Sequence, residues 1–183
     1  MYTRDSGRVQ DKLINQLERQ KRKKSYEQER FFRFKMPEIH NKLCQALLVE
    51  KIIETDNSVA VSDAILKGLK KAQKSSEFDF TYFIASLRAL VSRPNPHSLY
   101  MTQYILEVLI NDPYVIEVYG TDDEIYQVVN NVISQCNIQF ERDEKEVIDQ
   151  LSHNNKLIAG SRDYEIVFDQ MLRKKVGEPG QET

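Results

Sequence analysis

Residues 18–37 read ERQKRKKSYEQERFFRFKMP. Positions 18–30 offer a core nothing but Tyr26, and then Phe31, Phe32 and Phe34 crowd together just ahead of Pro37. A helix that is polar all round must project into solvent or lie on another surface. Three phenylalanines left in water would forfeit roughly 5 kcal/mol or more. The stretch therefore divides the chain: a charged arm ends here, and its aromatics dock it onto whatever follows.

Upstream, nothing from about residue 5 to 35 breaks a helix, and Gln, Glu, Lys, Arg and Leu favour one. Val9, Leu13, Ile14 and Leu17 recur at i, i+4, i+5 and i+8, a narrow apolar stripe. Residues 1–37 hold eleven Lys/Arg against five Asp/Glu, a balance of +6; residues 38–183 hold fifteen against twenty-three, a balance of −8. The formal total of −2 thus conceals a basic arm on an acidic body.

Downstream, the apolar spacing is helical in most segments. Residues 38–53 place Ile39, Leu43, Ala46, Leu47 and Ile53 on one side. Ser62 is the expected N-cap of the next helix, with Ile65, Leu66, Leu69 and Ala72 inward. FTYFIASLRALVSR (80–93), capped by Asp79, and LYMTQYILEVLIND (99–112), opened by Ser98, are apolar on nearly every side and read as the central helices. PNPH (94–97) is the clearest break, because residues before proline avoid helical angles. VIEVYG (115–120) favours a strand, and Thr121 with Glu124 makes a capping box for a helix through Cys136. NIQFER (137–142) and KLIAG (156–160) are short candidate strands flanking an acidic helix at 142–152; Asp163 caps a last helix. Two stretches, 47–73 and 109–136, share one grammar: helix end, β-branched run, acidic turn, new helix. Their spacing does not match without gaps.

The fold expected is mostly α. It is a single bundle of seven or eight helices with an extended N-terminal basic helix and at most a small β patch built from VIEVYG and KLIAG. The domains expected are an arm at 1–36, a body at 37–176 with a seam near 94–97, and a tail at 177–183. Six glycines and five prolines in 183 residues are too few for a many-turned sandwich or barrel.

Chemistry is sparse by motif. The histidines His40, His97 and His153 have no ligand spacing, and neither GxxxxGK[ST] nor GxGxxG occurs. No cofactor or metal is therefore expected. His40 and Cys44 share a helical face, the one pairing with a nucleophile in it. The acidic runs 122–124 and 141–144 are what a helix dipole and a solvated face demand. Two cysteines are too few for a disulfide framework, no apolar run approaches a membrane span, and the start carries no secretory pattern, so a cytoplasmic placement is expected.

That leaves the arm. Arg19, Arg22, Lys23, Tyr26, Arg30 and Arg33 fall along one side of a helix, with Lys24 beside them and Phe31, Phe32 and Phe34 at its base. The leading expectation is a non-enzymatic interaction module, an adaptor or structural subunit that docks on protein partners, self-association included, through these residues. The alternative is a nucleic-acid-binding accessory protein, in which the stripe tracks phosphates and Tyr26 or a phenylalanine stacks on a base. Glu18, Glu27 and Glu29 dilute the cationic field and favour protein.

Overall fold

The apolar periodicities described above become five helices and two strands among the described residues of a computed structural model, which describes residues 5–74 and 96–177. In chain order they are α1 (Asp5–Val49), β1 (Ile53–Thr55), α2 (Ser58–Lys74), α3 (Pro96–Asn111), β2 (Val115–Val118), α4 (Asp122–Ser152) and α5 (Arg162–Val176). The central helix expected at 79–93, and most of the tail, lie outside the described residues. So does half of the PNPH seam; Pro96 opens α3, where a missing N–H costs nothing.

The count of seven or eight helices is corrected by fusion. The arm helix and the helix at 38–53 are one element: α1 continues unbroken through Pro37. Proline inside a helix removes one backbone bond and crowds the preceding turn, at about 3 kcal/mol. Here the helix is held on both sides of it. Phe31, Phe32, Phe34 and Met36 before Pro37, and Ile39, Leu43 and Leu47 after it, are all buried in the same core. The exposed ring of Pro37 points away from that core. Likewise NIQFER is not a strand. Ile125, Val129, Ile133, Cys136, Phe140, Asp143, Val147 and Leu151 form one buried helical stripe, which carries α4 through 137–142 and absorbs the acidic helix as well.

The β patch is two antiparallel strands, β1 against β2, with Ile53 opposite Val118 and Glu54 opposite Glu117. VIEVYG supplies one strand as expected. Its partner is Ile53–Thr55 rather than KLIAG, which lies in turns, exposed but for the half-buried Leu157, where Asn154 accepts from the Lys156 N–H.

The local signals fared unevenly. The Thr121/Glu124 capping box forms, each side chain accepting the other's backbone N–H. Asn57, not Ser62, caps α2 by accepting from Ala60 N–H at 3.1 Å, because the helix starts a turn earlier than its apolar face. Ser161 rather than Asp163 caps α5. Ser98, expected to open α3, is buried inside it and donates to Asn130 on α4 at 2.8 Å.

The two stretches of shared grammar pair with each other. α1–β1–α2 and α3–β2–α4 are helix–strand–helix units joined through their strands, and the helices exchange roles: α1 packs on α4 as α2 packs on α3. Their buried residues keep one spacing. Ile39, Leu43, Leu47, then Val61, Ile65, Leu69, Ala72 in the first unit answer to Met101, Ile105, Leu109, then Ile125, Val129, Ile133, Cys136 in the second. The connector between helices is longer in the second unit, which is why the sequence repeat fails without a gap. α5 has no counterpart; it packs on α4 and receives the base of the arm.

Candidate functional site

The base of the arm is fastened by its own charges. Arg30 lies across α4 and α5, 3.4 Å from Glu144 and 3.5 Å from Glu165, with its guanidinium 4.4 Å from the centroid of Phe168. Arg33 reaches Asp169 at 2.8 Å, and that carboxylate also holds Arg173 at 2.8 Å. Phe31 and Phe34 meet Phe140 of α4 at centroid distances of 5.6 and 6.1 Å, in tilted pairs that suit the aromatic quadrupole. Five of the ten residues singled out from the sequence (Arg30, Phe31, Phe32, Arg33 and Phe34) therefore face the chain's own body. Arg19 stands on the exposed, projecting part of α1. Arg22, Lys23, Lys24 and Tyr26 are placed on the backbone of α1 between these regions.

What the arm leaves open is the stripe nearer its start. Every residue from Val9 to Gln20 is exposed, including Val9, Leu13, Ile14 and Leu17 at 53–57 %. The sequence showed this stripe as an amphipathic face; that nothing among the described residues covers it is a tertiary fact.

A second open surface lies where α1 meets α4: a largely polar groove of about 500 Å³ walled by Lys42, Gln45, Ala46, Val49 and Glu50 on one side and by Val128, Asn131, Val132 and Gln135 on the other. The two-unit architecture accounts for it. In the equivalent seam between α2 and α3 the small residue is Gly68, whose α-carbon approaches so closely that an added Cβ would lie 2.9 Å from Val108 Cγ2. Val132 stands where Gly68 does, and Ala46 where Val108 does. The bulk changes helix, and the α1/α4 seam stays ajar. No sequence signal marks this groove, since its two walls are far apart in the chain.

The pairing of His40 with Cys44 gains a third member, Ser62 of α2. His40 Nε2 lies 2.7 Å from the Ser62 carbonyl, which only accepts, so Nε2 carries the proton and donates. Ser62 Oγ sits 3.2 Å from the same nitrogen and receives the Cys44 thiol at 3.7 Å. A protonated Nε2 does not take a proton from Ser62. Burial pushes the Cys44 thiol up, only partly offset by its bond to Ser62, so the thiolate is disfavoured. The three groups tie α1 to α2. Nearby, Lys35 at 2.8 Å and Lys42 at 3.0 Å flank Glu38, and the Lys35 hydrogen bond leads in holding its carboxyl below the ordinary range. Cys136 is raised, by burial first and by the Glu38 charge second.

Among the described residues no group of three or more His, Cys, Asp or Glu side chains could hold a metal ion. Asp122, Asp123 and Glu124 occupy the first turn of α4, where the helix dipole favours them. Glu144 serves Arg30, and Asp143 is buried and accepts from Gln139. No described helix is long and apolar enough to cross a membrane.

Residues 95–180 match a family model described as "Protein of unknown function (DUF507)". The match covers α3, β2, α4 and α5. The region is thus the second helix–strand–helix unit together with the helix that receives the arm. No curated protein and no solved structure matches the chain.

Proposed function

We propose that this protein is a non-enzymatic interaction module, an adaptor or structural subunit of a cytoplasmic assembly, that docks on protein through the projecting part of α1. One observation carries the reading: a helix clamped at residues 30–47 by ion pairs and buried aromatics presents every side chain from Val9 to Gln20 to solvent, with four large aliphatics on one stripe. Such a stripe suits a helix-in-groove contact. Membranes and phosphates are poorer matches. Arg30 and Arg33, counted in the nucleic-acid stripe, are engaged by Glu144, Glu165 and Asp169. The basic run Arg19–Lys24 remains the part of the arm that a phosphate backbone would use.

The test is comparative purification of the full chain from its native cells, alongside a Leu13→Glu/Leu17→Glu variant and an Arg22→Glu/Lys23→Glu/Lys24→Glu variant. Protein partners lost with the first variant and kept with the second support docking through the stripe. Partners unchanged by the first variant overturn it. RNA or DNA binding that weakens steeply with salt and vanishes in the second variant would establish the alternative instead.

A further inference from the structure

The outward face of the β1/β2 sheet is charged against itself. Glu54 stands directly opposite Glu117, and like charges so placed, about 5 Å apart at Cβ, destabilise the pair. Tyr119, diagonal to Glu54, donates its hydroxyl to that carboxylate. No lysine or arginine among the described residues pairs with either glutamate. Ile116 falls at the register shift between Glu54 and Thr55, so no residue stands opposite it. Such a bulge re-aims a side chain. Ile116 is 58 % exposed, with Tyr119 at 62 % and Tyr114 at 46 % in and next to the same strand. We propose that this face docks a lysine- or arginine-bearing segment of a partner protein, with its cation seated between Glu54 and Glu117 beside the Tyr119 ring and its apolar neighbours on Ile116. The proposal does not depend on the exposed stripe of α1.

Charge complementarity selects this occupant. Residues 50–57 and 111–124, which make the strands and their turns, hold eight Asp/Glu against one cation, Lys51. Some of these acids serve the fold. Asp112 and Glu124 accept from the Tyr114 and Thr121 N–H groups, and Asp122 and Asp123 stand in the first turn of α4. Glu54 and Glu117 cap no helix. Their field repels a phosphate backbone or an anionic lipid surface. A metal ion fits poorly, because among the described residues no group of three or more His, Cys, Asp or Glu could hold one. A cationic side chain supplies what the pair lacks: one charge shared by two carboxylates, next to an aromatic ring. Residues attached to it cover the exposed aliphatic and aromatic area. The chain's own basic run does not reach the face. Arg22 lies about 40 Å from Val49, where the continuous α1 ends ahead of β1.

The experiment uses the full chain and a labelled peptide of about ten residues that alternates lysine with valine, so that its cations share one side when extended. Fluorescence anisotropy at about 0.15 M salt reads its binding. The same peptide with glutamate in place of lysine is not expected to bind. Glu117→Lys sets the chain's own cation opposite Glu54. It should raise the urea midpoint, which shows the fold intact, and weaken peptide binding about tenfold or more. Glu141→Lys makes the same change of charge on the exposed surface of α4. It should leave the affinity within about twofold, since screening confines its effect to about 8 Å. A wild type that ignores the lysine peptide, or an equal loss in both variants, overturns the proposal. Sedimentation of the chain alone covers the remaining occupant: self-association that Glu117→Lys abolishes would assign the face to a second copy and overturn the choice of a different protein.

Discussion

Lys51 ends α1 in the left-handed region, with φ of 52°. Its N–H reaches Leu48 O at 3.3 Å and the next N–H, of Ile52, reaches Leu47 O at 3.1 Å, a Schellman closure at a position usually given to glycine. The turn aims the chain from α1 into β1, so the conformation is held in spite of its strain. Lys51→Gly is expected to stabilise the fold by about 1 kcal/mol, read as a higher midpoint in urea. A second residue-scale effect is electrostatic. Lys35 and Lys42 hold the Glu38 carboxyl below its ordinary range, so its contribution is complete at neutral pH and drains away as pH falls through that range. Glu38→Gln should therefore lose less stability than wild type between about pH 6 and pH 3, measured by denaturant midpoints. Parallel losses in the two proteins would refute this origin.

At the scale of elements, Pro37 and Gly68 mark where packing overrides local preference. α1 keeps a proline in its middle because seven buried side chains flank it within the same core. Pro37→Ala should restore a backbone bond without disturbing a buried contact, since the ring is exposed. The expected gain is about 2 kcal/mol in thermal melts, with some of the roughly 3 kcal/mol helix penalty offset by a freer unfolded chain. Gly68, in contrast, is a poor helix former kept for the close approach of Val108. The element boundaries misread from the sequence share one cause. Helix fusion at 36/37 and 136/137, and the pairing of β2 with β1 rather than with KLIAG, depend on surfaces contributed from elsewhere in the chain. The signals read correctly, the Thr121 capping box and the VIEVYG strand, are complete within a few residues.

At the scale of the whole molecule, the described residues make two helix–strand–helix units, a fifth helix, and a first part of α1 that is exposed from Val9 to Gln20. Stability and interaction should therefore separate. Phe140 is fully buried, with Phe31 and Phe34 against it. Phe140→Ala is expected to cost about 3–5 kcal/mol, while Leu13→Glu/Leu17→Glu should shift the melt by no more than about 0.5 kcal/mol. A large destabilisation from the arm variant would mean that the stripe is covered within the chain.

From its residues alone the chain declares a helical class, an amphipathic stripe at 9–17, a capping box at 121–124 and a division between basic arm and acidic body. These are matters of composition and of periods spanning a few turns, so the local sequence carries them whole. That Arg30 and Arg33 are spent on Glu144, Glu165 and Asp169, that the two strands find each other, and that a groove opens between α1 and α4 are decided only in three dimensions. Each depends on groups distant in the chain being brought within a few ångströms, and neither charge nor hydrophobic spacing along a single segment specifies which distant surface will meet it.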